Sequence, residues 1–311
     1  MTNTIAKRIG LPPRVINKPS SELIDSGRNI GVELEIENVR PRDAFADLGH
    51  LWKVERDDSL RPRDRSVELK SPSPGYSGEQ LVQSLEALAG KDSLAHGTFG
   101  WRAGSHIHVD CRDKTPEDLA YIGPFYALLE PSIFAWDGSG RHESRFCMPW
   151  WVCSHDIATA FDIIHARNDN EFVGKISSFS KYTALNMEPL QRFGTLEFRH
   201  AKSSIDKAFL LEYINIGLDV VAAADKFRDT MSPMGMVLDY MSIGPERFIS
   251  KWCDPVVSRA LLRTPHEANI MPLIPKVFDR AISTAMTLAE LQSHVRTIVP
   301  ESIDMKVLLQ F

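Results

Sequence analysis

The sequence predicts an α+β fold, with strands in the first two-thirds of the chain, helices inserted among them, and a helical remainder. Four short segments alternate apolar with charged or polar residues, which is the period of two of a strand with one buried face. These segments are 31–37, 66–70, 105–110 and 195–200. From about Ser204 onward the pattern is helical almost throughout, with breaks at prolines.

Composition and charge exclude several classes of protein. The 311 residues are 43% hydrophobic, which is ordinary for a globular protein with one large or two small cores. The net charge of −5 argues against a general nucleic-acid binder, and Glu212 and Asp219 interrupt the most apolar run, so we expect no membrane partner either. The four cysteines lack CxxC spacing and no secretory signal is recognisable, so we expect free thiols and a cytoplasmic location.

Five elements are expected before residue 112, and prolines interrupt or end two of them. These elements are an irregular leader over 1–28, a strand over about 30–38, a strand over 66–71, a helix over 77–90 and a His-x-His strand within 99–112. The leader is expected to be irregular because Pro12, Pro13 and Pro19 interrupt regular structure. The second strand ends because Pro72 and Pro74 cannot continue it.

The elements expected after residue 112 begin with a long helix. Thr115 is a good N-cap with Pro116 at the first helical position, and the helix runs toward Trp136. We expect kinks at Pro124 and Pro131. The elements that follow are a helix over 155–166, a strand-like segment over 172–187 and the fourth charged strand over 195–200.

The polar rows of the four strands would share one face of the sheet. They consist of Glu33, Glu35, Glu68, His106, His108, Glu197 and Arg199. A solvated face is the simpler interpretation of any one strand. However, acidic residues are depleted in strands, and neighbouring carboxylates repel one another unless a cation offsets their charge. The rows therefore predict a metal and phosphate site whose oxygen-rich donors suit Mg²⁺ or Mn²⁺, with structural zinc as the alternative for His106 and His108.

Arginines add an anion-binding element to this face. Glu197 and Arg199 lie two residues apart, which suits an anion held between a metal and a guanidinium, with a cross-strand ion pair as the alternative. Arg141 and Arg145 lie in a Gly-containing loop and are candidate phosphate clamps, with surface solvation as the alternative. No P-loop, GxGxxG or kinase signature is present, so a nucleotide would bind by another geometry.

Six motifs occur in the order expected of the amidoligase family, and the sequence resembles that family over roughly residues 29–230. The motifs are Gly31-Val-Glu33-Leu-Glu35, Asp57-Asp58-Ser59-Leu60, Val67-Glu68-Leu-Lys-Ser71-Pro72, Ala103-Gly104-Ser105-His106-Ile-His108-Val-Asp110, Lys181-Tyr182-x-Ala184-Leu185-Asn186 and Thr195-Leu-Glu197-Phe-Arg199. The family is a compact branch of the carboxylate–amine ligase superfamily, which includes glutamine synthetase and glutamate–cysteine ligase. The sequence departs from the pattern at Lys70, where an apolar residue is more usual, and at the aromatic pair Trp150-Trp151.

The resemblance implies an antiparallel sheet of the glutamine-synthetase catalytic type. The concave face of this sheet would hold ATP and two or three Mg²⁺ or Mn²⁺ ions, and helices would cover the other face. The resemblance divides the chain into the leader, an amidoligase-like catalytic domain over 29–230 and a helical C-terminal extension over 231–311 that packs on it. The metal ligands that it implies are Glu33, Glu35, Glu68, His106, His108 and Glu197.

The resemblance also implies an ATP- and Mg²⁺-dependent ligase that joins a small-molecule or peptide carboxylate to an amine through an acyl-phosphate. Arg199, helped by Arg145, would stabilise the transferring phosphoryl group. Arg141 and Lys181 would join these two arginines in binding the nucleotide. Asp58, on a turn before a metal-bearing strand, is the candidate base for the attacking amine, with turn capping as the alternative.

Two other functions stay open on the same residues. One is a phosphotransferase that uses the same metal ions and ATP, and the other is an inactive binding or structural module with this fold. The oligomeric state is open as well, a homo-oligomer included.

Overall fold

An antiparallel sheet forms the centre of the fold. Its strands are β1 (Ile30–Glu37), β2 (Lys53–Glu55), β3 (Ser66–Lys70), β4 (Gly104–Asp110), β5 (Leu185–Asn186) and β6 (Thr195–Lys202). This computed structural model describes residues 4–14, 19–39, 48, 50–89, 91, 94, 96–99, 103–153, 159, 160, 163, 166 and 168–263. Within them the six strands follow the order β2-β3-β1-β4-β6-β5, and all neighbours are antiparallel. The predicted mixture of helices with an antiparallel sheet is confirmed.

Strand pairing brings the polar rows next to one another. The cross-strand partners are Glu35 with Glu68, Glu33 with Lys70, Glu33 with His106, and His108 with Glu197. Directly opposed side chains in an antiparallel pair have Cβ atoms about 4.5–5.5 Å apart. The register between β4 and β6 shifts between Ser105 and Ile107, and His106 lies at this irregularity.

Ten α-helices have their bounds within the described residues. They are α1 (Ile5–Ile9), α2 (Gly78–Glu86), α3 (Pro116–Asp137), α4 (Asp169–Ile176), α5 (Leu190–Phe193), α6 (Lys207–Val221), α7 (Ala223–Phe227), α8 (Pro233–Ile243), α9 (Pro245–Trp252) and α10 (Pro255–Leu262). Thr115 is the N-cap of α3, as expected, and it forms a capping box with Asp118. The helix continues through both of its internal prolines. Pro233, Pro245 and Pro255 interrupt the helical pattern of the sequence because each is the first residue of a new helix, where no N–H is needed.

Helices cover the apolar face of the sheet. The helix α6 contacts β4, and α3 contacts β6. A Cβ atom at Gly217 would lie only 2.8 Å from Ile107 Cδ1, so glycine is what allows α6 to lie this close to the sheet. The helices α8 and α10 pack against α3, and α10 also packs against α6, so these later helices share one core with the sheet.

The expectation of a strand-like segment over 172–187 is wrong for its first half, where α4 lies. Asn168 caps this helix, since its side-chain oxygen accepts a hydrogen bond from the N–H of Glu171 at 2.9 Å. Phe172 and Ile176 lie four residues apart on the helix and are both buried. Their helical spacing therefore outweighs the strand propensity of the segment, and extended structure is confined to β5.

The leader contains the short helix α1, contrary to the expectation of an irregular segment. Ile5 is fully buried, and its N–H donates to the carbonyl of Lys114 at 2.7 Å. Gly10 then ends the helix in the left-handed conformation. Contact with the segment after β4, which has no signal in the local sequence, explains why this stretch is ordered as a helix.

Three further expectations concern segments of the C-terminal part and of 155–166, membrane-spanning helices, and the cysteines. The helix expected over 155–166 lies mostly outside the described residues, as does the segment 264–311 of the C-terminal extension. None of the described helices is both long and apolar enough to cross a membrane. Each of the four cysteines is a thiol outside any disulfide, as expected.

Candidate functional site

A cavity of about 370 Å³ opens on the polar face of the sheet. All seven residues of the polar rows line it, together with Lys181. A second cavity of about 670 Å³ lies beside it and shares Glu33 and His108 with it. The walls of this second cavity are partly apolar and include Leu11, Pro12 and Phe193. The two cavities therefore meet at the carboxylate cluster.

Two groups of side chains in the first cavity have the composition of a metal site. One group, called the β4 group after the strand of its histidine, consists of Glu33, His108 and Glu197. The other, called the β3 group after the strand of Glu68, consists of Glu35, Asp57 and Glu68. In each group the candidate ligand atoms lie within 4.8 Å of one another. The two groups together offer five carboxylates and one histidine, which are donors that Mg²⁺ and Mn²⁺ accept.

The histidines of β4 provide an independent indication of a ligand. Among the described residues, neither ring nitrogen of His106 has a hydrogen-bond partner, although this side chain is only 2% exposed. Its Nδ1 lies 3.6 Å from a carboxylate oxygen of Glu197, and its Nε2 lies 3.9 Å from Glu35. A buried polar atom left without a partner costs about 1–3 kcal/mol, so a bound cation would satisfy atoms that the protein leaves unsatisfied.

His108 is held in an orientation suited to a ligand. Its Nδ1 lies 3.2 Å from the hydroxyl of Thr195, which fixes the ring, and its Nε2 lies 3.6 Å from Glu33. Burial opposes the charged imidazolium, but Glu33 and Glu197 raise the pKa of His108. The side chains present therefore fit a divalent ion.

Hydrogen bonds from the protein fix the carboxylates. The N–H of Gly104 donates to Glu35 at 2.7 Å, and the amide of Asn186 donates to Glu197 at 2.7 Å. The guanidinium of Arg199 pairs with the other oxygen of Glu197, and its Nε donates to the Phe146 carbonyl at 3.2 Å. Arg199 is thus anchored at two points while it lines the cavity.

Burial and crowding shift the pKa values of the cluster in opposite directions. For Glu68, burial and the neighbouring Glu33 raise the pKa to about 8, although Lys70 opposes the change. For Glu33, burial favours the neutral acid, but both histidines of β4 outweigh it and lower the pKa. For Glu197, burial acts the same way and Arg199 outweighs it, so its pKa is also lowered. One carboxyl of the cluster therefore holds a proton at neutral pH, which a cation would displace.

Comparison with known families identifies the chain. The family model described as "Putative amidoligase enzyme" matches residues 49–221, which is more than half of the sequence. The chain belongs to this family. The match includes Glu68, both histidines of β4 and Glu197, whereas Glu33 and Glu35 on β1 precede it.

Other comparisons add distant similarity. No curated protein sequence matches the chain significantly. A solved structure described as a bifunctional glutathione synthetase from Pasteurella multocida aligns with 86% of this chain and 51% of its own, at a TM-score of 0.35 and 10% sequence identity. The chain thus spans about half the length of that protein.

The structure puts the remaining predicted site residues at different depths. Arg141, expected in an exposed loop, is 1% exposed and donates from Nε and Nη2 to the Arg199 carbonyl at 3.3 and 3.2 Å. It therefore lies behind the cavity wall rather than in it, because the loop folds under β6. Arg145 is exposed, with its guanidinium 4.7 Å from the centre of the Phe146 ring at the cavity rim. Lys181 is exposed at the rim as well.

The turn before β3 contributes a residue that sequence reasoning missed. Asp57 lines the first cavity. The candidate base Asp58 is exposed and is not among the described residues that line this cavity. The adjacent pair was visible in the sequence, but a turn has no regular period that tells which side chain faces inward. Asn186 and Phe146 were also missed as site residues, and only Asn186 had a signal, as the last residue of a motif.

Proposed function

We propose that this protein is an ATP- and Mg²⁺-dependent ligase that joins a carboxylate to an amine through an acyl-phosphate, on a sheet of the glutamine-synthetase catalytic type. One observation carries the proposal. In a chain of the amidoligase family, four strands and one turn direct two metal-ligand groups and a paired arginine into one cavity. A phosphoryl-transfer site needs such an arrangement, because metal ions and arginine both offset the charge of the phosphates.

The β3 and β4 groups would hold the divalent ions, and His106 would add a ligand between them. When bound, such ions neutralise phosphate oxygens and orient them for transfer. Asn186 and Gly104 orient the carboxylates through their hydrogen bonds. The two buried strands β1 and β4 keep water away from the back of the site.

Arg199 would contact the phosphoryl group as it moves from ATP to the substrate carboxylate. Its pairing with Glu197 leaves the guanidinium at the wall of the cavity that both histidines of β4 also line. Lys181 and Arg145, at the rim, would bind the outer phosphates or the substrate. The nucleoside would lie in the second cavity, where apolar walls suit a planar base and where the junction at Glu33 leads to the metal site.

A base must take a proton from the attacking amine. Asp57 lines the cavity, so it is better placed for this role than the predicted Asp58, whose role stays a prediction. The variants Asp57→Asn and Asp58→Asn separate the roles. Loss of amide formation with cleavage of ATP retained identifies the base, whereas loss of both in Asp57→Asn identifies Asp57 as a metal ligand of the β3 group.

Release of ADP from ATP tests the proposal. The protein is incubated with ATP, Mg²⁺ and a mixture of amino acids and amines, and amide products are sought by mass spectrometry. We expect release of ADP that depends on both a carboxylate and an amine, and its loss in Glu35→Gln. The matched control is Glu37→Gln, since Glu37 lies two residues further along β1 and accepts a hydrogen bond from the Arg61 N–H. Glu37 is not among the described residues that line either cavity.

The outcome distinguishes this proposal from two others. ADP release with a phosphorylated product and no need for an amine would indicate a phosphotransferase. Failure to bind both ATP and Mg²⁺ would indicate an inactive binding or structural module. The ring nitrogens of His106 are buried without hydrogen-bond partners in the described part of the chain, and they favour the ligase over that module because retaining them without a ligand is costly.

A further inference from the structure

Lys70 brings an ammonium group among the carboxylates of the cluster. It follows Glu68 by two residues and lies opposite Glu33 in the sheet. The Nζ atom lies 2.8 Å from a Glu68 oxygen, 3.6 Å from Glu55 and 3.8 Å from Glu33. One cation is therefore shared by carboxylates from β1, β2 and β3.

The ammonium group touches one member of each metal-ligand group. Glu33 belongs to the β4 group, and Glu68 belongs to the β3 group. Arg199 pairs with Glu197 on β6, and β4 lies between that strand and Glu33 on β1. Without Lys70, the carboxyl groups of Glu33 and Glu68 would lie side by side with no ammonium group between them, which would open an oxygen-rich position for a further metal ion.

We propose that Lys70 is a fixed cation that takes the place of a third divalent ion, so that the site holds two divalent ions and one ammonium group. This inference rests on the metal site proposed above. An ammonium group on a strand is permanent, so it keeps Glu33 and Glu68 close together before any metal binds.

The number of bound Mn²⁺ ions tests the inference. Titration without nucleotide, followed by the electron paramagnetic resonance signal of free Mn²⁺, should give two ions for the wild-type protein. Lys70→Met keeps most of the side-chain length but removes the charge, which opens an oxygen-rich position, so we expect three ions. Lys70→Arg keeps the charge, so we expect two.

Lys53→Met is the matched control. Lys53 lies opposite Lys70 on β2, its side chain is 68% exposed, and it pairs with Glu55. Its removal should leave the count at two. The metal-free melting temperature should fall more in Lys70→Met than in Lys53→Met, and saturating Mn²⁺ should restore it, because an ion then replaces the ammonium.

Each outcome decides the question. Three ions in the wild-type protein, or two in Lys70→Met, would overturn the role of Lys70 while leaving the metal site intact. A wild-type protein that binds no Mn²⁺ would overturn the metal site, and this inference with it. If Lys70→Met does not fold, the wild-type and Lys70→Arg counts decide, since two ions in both support the inference and any other count refutes it.

Discussion

Replacing Glu68 with glutamine tests the electrostatics of the metal site directly. The pKa of Glu68 is raised to about 8 by burial and by Glu33. With this pKa, roughly one in eleven Glu68 carboxyls is ionised at pH 7 and roughly ten in eleven at pH 9. An ion that binds at pH 7 must first displace the proton, which costs about 1.4 kcal/mol, or about tenfold in affinity.

Isothermal titration with Mg²⁺ at pH 7 and pH 9 measures this effect. The wild-type affinity should rise about tenfold more than that of Glu68→Gln over this range, since glutamine has no proton to lose. At pH 7, in paired buffers of different ionisation enthalpy, the wild-type protein should release about 0.9 proton more per bound ion. Any contribution from His108 is common to both proteins and cancels in the comparison.

The metal-free stability of the variant is the control. At pH 7 glutamine resembles the protonated acid of the folded state but cannot ionise in the unfolded state, so the free energy of unfolding should not fall and should rise by up to about 3 kcal/mol. An equal gain in affinity between pH 7 and pH 9 in both proteins would refute the reasoning. A loss of metal-free stability in Glu68→Gln would show instead that Glu68 is ionised at pH 7 before any metal binds.

Three further predictions follow from the same structure. The folded-state pKa of Glu68 lies above its usual value of 4.5, so the folded protein binds this proton more tightly than the unfolded chain does. Denaturation in the presence of EDTA should therefore show a free energy of unfolding that falls from pH 5 to pH 8, and a rise would contradict this. Arg199→Lys should lower the kcat for ADP release about 100-fold with little change in Mn²⁺ affinity, because a single ammonium cannot replace the two contacts of the guanidinium. Near-normal turnover would show that Arg199 is a structural ion-pair partner. Gly104→Ala should lower the free energy of unfolding by about 1–3 kcal/mol in thermal denaturation, since its Cβ would lie 2.6 Å from Arg141 Nη2. The control variant Gly174→Ala should not lower it, because the space around Gly174 is open.

The sequence was sufficient for the polar face of the sheet. In a strand, alternate side chains must lie on the same side, so the row on β1 followed from its spacing alone. The same holds for the rows on β3, β4 and β6, whose predicted strands are confirmed within a few residues. The cap at Thr115 was also a local signal and is present as expected.

Features without a local period could not be predicted. Which aspartate of the turn faces the cavity, and whether Arg141 is exposed, depend on how a loop folds against the sheet. The helix α4 competes with a strand of similar apolar content, and its burial against the core decides between them.

What the sequence by itself determined is which side chains share a face, because the geometry of a strand imposes that on any chain. What only the tertiary structure decided is which strands are neighbours and in what register. The register sets Lys70 opposite Glu33, so that its ammonium contacts carboxylates from three strands. It also leaves the ring nitrogens of His106 buried without partners among the described residues. Both depend on contacts between residues far apart in the chain, which no local pattern encodes.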